Sequence, residues 1–234
     1  MCPAAAPSRS PGRFVRWRWL AASAAIWTVF GVLTYEAARR PYLGPDLALA
    51  RWVQSVDWGP LTPAFPLINQ MAGTEGAVVS ALVVGAVAVV DWRAVPFAAF
   101  VEIGATQTYS IVNGALRAPR PAPGLIRITE HPGAYGWPSG HAGFALVQAA
   151  LLAFAVAAVR ARGPVRVIVA LAGVLVVLAF VIQRVDAGVH WPSQTLGGLL
   201  VAAGWLTLGM SIRRLSDPVV AAVRRRGETR TTAL

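Results

Sequence analysis

The chain has 234 residues, of which 56% are hydrophobic and 13% charged, and its formal net charge is +11 at pH 7. With a mean hydropathy of +0.57, it has too little polar surface for a water-soluble globule and too much apolar surface for a disordered chain, which leaves an integral membrane protein. All 21 basic residues are Arg. They gather at the ends of apolar runs, so the charge reads as membrane topology and contact with anionic headgroups, with no nucleic-acid partner. The single cysteine, Cys2, excludes a disulfide framework and a Cys-based metal site.

Residues 1–17 are rich in Pro, Ser and Arg, have no apolar period and read as a tail. Residues 18–212 form the membrane domain. Its first run, 19–38, has the roughly 20 residues that cross a bilayer core. Arginines precede it and no cleavage site follows, which fits a signal anchor. In the loop 39–75, residues 46–56 place apolar side chains at helical spacing, as expected of an amphipathic helix lying in the interface. Further spans are expected at 76–90, 94–113, 141–159, 165–183 and 190–212, the first of these being short. The basic segment 213–234 reads as a partly ordered tail. Six spans put both ends on one side. Fourteen arginines fall on that side and seven on the other, so both termini are expected in the cytoplasm, and the loops after helices one, three and five on the outer face of the plasma membrane.

The chain has three histidines, and His131, His141 and His190 all fall on that outer face. His141 follows Pro138, Ser139 and Gly140 at the start of one helix, and His190 precedes Trp191 and Pro192 at the start of another. Helix N-termini offer free N–H groups and the positive end of the dipole to an anion. Arg117 and Arg120 end the third helix and Arg184 the fifth, so guanidinium groups and two imidazoles converge on one face. Phosphoryl transfer needs such donors for the nonbridging oxygens, a nucleophile and a proton donor.

At these residues the chain resembles the type-2 phosphatidic acid phosphatase superfamily, whose blocks are K-x6-R-P, P-S-G-H and S-R-x5-H-x3-D. The second is complete as Pro138-Ser139-Gly140-His141, the first is represented by Arg120-Pro121, and the third by Arg184 and His190. The resemblance covers about residues 76–212. It implies an all-α, six-helix transmembrane bundle of the lipid phosphate phosphatase and vanadium haloperoxidase type. The implied activity is hydrolysis of a lipid-linked phosphate or diphosphate without metal or cofactor. By the same resemblance His190 attacks phosphorus, His141 protonates the leaving oxygen, and Arg120, Arg184, Ser139 and Gly140 hold the phosphate. The alternatives are a phosphotransferase and a non-catalytic lipid-phosphate-binding protein; oligomeric state is left open.

Three positions depart from the pattern: Asn113 replaces the Lys, Gln183 the Ser and Gln194 the final Asp. Arg117, one turn beyond Asn113, is a candidate for the missing cation. Gln194, at i+4 on the same helix, can accept a hydrogen bond from the His190 Nδ1–H but brings no charge, and its amide is free to flip. In serine proteases the corresponding carboxylate-to-amide change costs about 10⁴ in rate through the wrong tautomer. Asp186, four residues before His190, is therefore a candidate orienting carboxylate.

Blander readings hold elsewhere. His131 reads as a solvated loop residue and Arg127 as a snorkelling one. Glu102, ionisable and in mid-span, is a functional candidate and reads at least equally as a buried interhelical hydrogen bond. Thr106, Gln107, Thr108 and Tyr109 read as glue between helices first and headgroup contacts second. Trp17, Trp19, Trp58, Trp92 and Trp191 read as interfacial anchors, and Gly197, Gly198 and Gly204 as close-packing positions.

Overall fold

The computed structural model describes residues 14–73, 75–130, 133, 135–159 and 163–228. His131, Arg160, Arg162 and most of the N-terminal tail lie outside them. Among the described residues there are helices and isolated bridges but no strand. The helices are α1 (Trp17–Arg39), α2 (Asp46–Ser55), α3 (Phe65–Ala72), α4 (Gly76–Asp91), α5 (Val95–Leu116), α6 (Gly140–Val159), α7 (Gly163–Asp186), α8 (Pro192–Ser211) and α9 (Arg213–Glu228). Helices stand at all six positions where spans were expected, with ends shifted by a few residues.

Among the described residues, four stretches are long and apolar enough to cross a membrane: α1, the 41-residue stretch Gly76–Leu116 that contains both α4 and α5, α6, and α7; α8 is not one of them. A single turn of 3-10 helix, Trp92–Ala94, separates α4 from α5, and the Asp91 carboxylate caps it by accepting from the Arg93 amide at 3.1 Å. Pro96 in the first turn of α5 has no N–H to leave unpaired. The connection 117–139 cannot continue α5, because Pro119, Pro121 and Pro123 remove donors and clash with the preceding turn. Arg117 closes α5 in the left-handed conformation, φ 53°.

The core lies between α1, α5, α6 and α8, where Phe97, Val101, Val147, Val201 and Trp137 are buried together. Small residues let these helices close. A side chain at Gly143 or Gly198 would run into Tyr109 or the Ser139 backbone, and one at Gly204 would overlap the Trp27 ring. The expectation for Gly197, Gly198 and Gly204 therefore holds. By contrast α7 leaves Val167, Ile168, Leu171 and Leu175 exposed, as a lipid-facing helix does.

Three expectations are corrected. The segment after Arg213 is a helix: α9 buries Ser216, Val219 and Ala222 against the other end of the bundle, so amphipathic packing overrides its basic composition. Trp191 is buried against Tyr42, rings 4.9 Å apart, and is core rather than anchor. Trp17, Trp19 and Trp92 are exposed, as expected of anchors. Finally, the N-terminus of α8 is already occupied: buried Asp46 accepts from the Ser193 amide at 2.8 Å and its hydroxyl at 2.6 Å. That carboxylate, from the first residue of α2, answers the helix dipole where an incoming anion was expected.

Candidate active site

His190 lies in the turn between α7 and α8, where Gly188 adopts φ +69° with the Arg127 carbonyl packed where a side chain would stand. Its Nδ1 is 3.0 Å from the Gln194 Oε1, one helical turn on. The same oxygen accepts from the Trp191 amide at 3.2 Å, while the Gln194 Nε2 donates to the Pro119 carbonyl at 2.8 Å. A flipped amide would set N–H against N–H and oxygen against oxygen. The orientation is therefore locked, and with it the tautomer: Nδ1 carries the proton and Nε2 the lone pair. Gly136 packs against this amide so closely that an added side chain would strike it.

Arg120 approaches that lone pair. Its guanidinium NH1 is 3.0 Å from the His190 Nε2 and donates to the Val189 carbonyl at 2.7 Å, while its Nε donates to the Gly133 carbonyl at 2.7 Å. Burial, with the charge of Arg184 nearby, pushes the Arg120 guanidinium down to about 10. Burial, then the charge of Arg120, holds the His190 imidazole well below the ordinary histidine range. The imidazole is thus neutral at pH 7 and its Nε2 can act as a nucleophile.

Arg184 is 2% exposed. Its NH2 donates to the Glu130 carboxylate at 2.8 Å and its Nε to the Gln183 side-chain oxygen. Gln183 in turn donates to the other Glu130 oxygen at 2.8 Å, so carboxylate, amide and guanidinium form a closed ring of hydrogen bonds. Ser139 is fully buried just before α6, and among the described residues its Oγ has no partner; the Nε2 of His141 is likewise buried without one among them. Ser139 is tied to the His190 region by its amide, which donates to the Gln194 carbonyl at 2.9 Å. Gly140 is the first residue of α6. Asn113 reaches the same level, its amide 3.3 Å from the Trp137 carbonyl.

The other expected participants lie elsewhere. Arg117 is exposed, bonded to the Gly114 carbonyl and stacked over Tyr135 at 5.9 Å, so it supplies no cation beside His190. Asp186 pairs with Arg127 at 2.8 Å, and Gln194 takes the His190 Nδ1 bond meant for it. Arg127 is accordingly an ion-pair partner rather than a snorkelling residue. Glu102 does bridge helices, accepting from Gln148 at 2.6 Å and Ser80 at 3.3 Å. Thr108 and Tyr109 also join helices: Trp205 donates to the Thr108 hydroxyl at 3.0 Å and Tyr109 donates to the Gly198 carbonyl at 3.2 Å.

Sequence reasoning missed Glu130, Asp46 and Gln54. Glu130 carried a signal, being the one acidic residue in 117–139. Gln54 binds the backbone of Arg127 and Asp186 on both sides of its amide, and no local pattern announces it.

The sequence profile of the PAP2 superfamily matches residues 76–217. The chain belongs to the PAP2 superfamily. No curated protein sequence is a significant match. Among solved structures, the transmembrane PAP2-type phosphatidylglycerolphosphate phosphatase from Bacillus subtilis is similar, with a TM-score of 0.66 and 15% identity over 80% of this chain and 93% of that one. At that identity the likeness is one of fold. Family and fold together support a membrane phosphatase of the PAP2 type.

Proposed function

We propose that the protein hydrolyses a lipid-linked phosphate or diphosphate through a phosphohistidine intermediate at the outer face of the plasma membrane, with both termini in the cytoplasm. The observation that carries this reading is the His190 imidazole: neutral, fixed in tautomer by Gln194, and with its Nε2 3.0 Å from the Arg120 guanidinium. Arg120, Arg184, the Ser139 hydroxyl and the Gly140 amide hold the nonbridging oxygens. The His190 Nε2 attacks phosphorus as the bond to the leaving oxygen breaks, and His141, which takes up a proton together with the bound phosphate anion, gives that proton to the leaving oxygen. His141 then takes a proton from water, whose oxygen attacks the phosphohistidine. Inorganic phosphate and free His190 result.

The deciding experiment measures inorganic phosphate release from lipid phosphates and diphosphates in detergent with EDTA present. Release by wild type, unchanged by EDTA and lost in His190→Ala, is the expected result. Equal release by His190→Ala overturns the reading. Lipid binding without release returns the protein to a binding role.

A further inference from the structure

At the end of the bundle away from His190, α1 begins beside the junction of α8 and α9, and the three enclose a cavity of about 980 Å³. Its separation from His190 is the length of α8, 20 residues from Pro192 to Ser211, or about 30 Å at 1.5 Å per residue. Four arginines line the cavity: Arg16, Arg18, Arg213 and Arg224. Backbone bonds fix the segments that carry them. Val15 and Ile212 form an antiparallel bridge, the Arg16 amide donates to the Ser211 carbonyl at 2.8 Å, and the Arg213 amide donates to the Phe14 carbonyl at 3.0 Å. On α9 the spacing of Arg213, Asp217, Val220 and Arg224 is that of one helix face, distinct from the face of Ser216, Val219 and Ala222 that packs on the bundle. Asp217 answers Arg16 at 2.6 Å. The guanidinium groups of Arg18 and Arg213 have no partner among the described residues.

The rest of the wall is apolar. Ala22, Met210 and Val220 contribute to it, and the indoles of Trp17 and Trp19 stand exposed beside it, as they do where headgroups meet acyl chains. Unanswered positive charge thus adjoins a surface made for lipid. We infer that this cavity holds an anionic glycerophospholipid as a resident lipid, its phosphate between Arg18 and Arg213 and its acyl chains along α1. Charge complementarity selects that occupant, because basic pockets between membrane helices hold anionic headgroups. A zwitterionic headgroup would bring its own cation among the guanidinium groups, and a soluble anion would leave the apolar wall uncovered. General attraction of arginines to a charged membrane is a separate effect: it acts equally on Arg214, which is exposed at the start of the same helix and does not line the cavity. The site requires no turnover and stands independently of the hydrolase reading.

The test counts lipids bound to the full chain by native mass spectrometry from neutral detergent, where no charged surface adds to the local field. The probes are phosphatidylglycerol and phosphatidylcholine with the same acyl chains. Wild type should bind the first about tenfold more tightly, and Arg18→Gln and Arg213→Gln should each weaken that binding about tenfold, the loss of one charge-assisted hydrogen bond. Arg214→Gln should leave it unchanged. All three side chains are exposed, so the fold is retained. Asp217→Asn gives the opposite sign, because it releases Arg16 toward the headgroup, and phosphatidylglycerol should then bind more tightly. Equal binding of the two lipids, a loss in Arg214→Gln as large as in the cavity variants, or no gain in Asp217→Asn overturns the proposal. Inorganic phosphate separates lipid from free anion: its effect on Tm should be the same in wild type and in Arg18→Gln combined with Arg213→Gln. A smaller effect in the double variant would make the cavity a site for soluble anions and overturn the assignment to lipid.

Discussion

The carboxylate of Glu130 is 2.8 Å from the guanidinium of Arg184, and the two differ sharply in exposure: the acid is 28% exposed, the arginine 2%. A buried guanidinium needs an anion. A loop residue supplies one here. The phosphate proposed to bind Arg184 therefore meets a rival already in place, and of the two partners the exposed carboxylate is the one free to swing away.

Glu130→Gln should accordingly lower Tm in the absence of phosphate and enlarge the rise in Tm that inorganic phosphate produces. Thermal unfolding in detergent at several phosphate concentrations measures both. A smaller phosphate-induced rise than in wild type would mean that Glu130 assists anion binding instead of competing with it.

Gln194→Asp should raise the rate. The locked amide already secures the tautomer, so what Gln194 lacks is charge alone, and the deficit is smaller than the 10⁴ caused by a wrong tautomer. An expected gain is about 10- to 100-fold in kcat, at or below the lower limit of about 100-fold for a positioned acid–base group, because the proton acceptor is already in place. Gln194→Leu should nearly abolish phosphate release, since Nδ1 then loses its acceptor. Equal rates for Asp, Gln and Leu at this position would show that His190 needs no orienting partner.

The acid limb of kcat/KM should lie low. Burial and Arg120 hold His190 below its ordinary range, so the nucleophile stays neutral as pH falls through about 6.5 and is lost only at lower pH. Histidine ¹⁵N spectra of labelled protein read this directly, because only three imidazoles are present. In Gln194→Asp the new carboxylate favours the charged ring, and the midpoint should move up. A His190 resonance titrating at 6.5 or above in wild type contradicts the argument.

Asp46→Ala should cost about 1 kcal/mol, the usual value of a helix cap, with the Ser193 amide and hydroxyl left unmatched. For an unfolding domain of this size that is a fall of about 2–4 °C in Tm. Asp46→Asn should retain most of the stability, because an amide oxygen still caps. An unchanged Tm in Asp46→Ala would leave the buried carboxylate without a structural role.

The sequence was most legible where a rule is local. Apolar runs located α1, α4, α5, α6, α7 and α8, and spacing along the chain placed Gln194 one turn from His190. Asp186 and Arg117 were misjudged because nearness in sequence stood in for nearness in space. Asp186 ends α7 facing Arg127, and the left-handed residue at Arg117 turns its side chain toward Tyr135. Asp46 and Glu130 act across 147 and 54 positions, where no periodicity reaches. The tail helix α9 was lost to its charge, since arginines on its exposed side conceal the small apolar face that packs.

The contact between Arg120 and the His190 Nε2 has a chemical consequence for selectivity. A lone pair engaged by a guanidinium is a poor nucleophile toward passing electrophiles, such as acyl donors, aldehydes and alkylating agents in the surrounding membrane. Only an anion can draw that guanidinium off, because only an anion offers it a better acceptor. Under the mechanism proposed above, recognition and unmasking of the nucleophile are then one event, and the imidazole becomes reactive when an anion is bound.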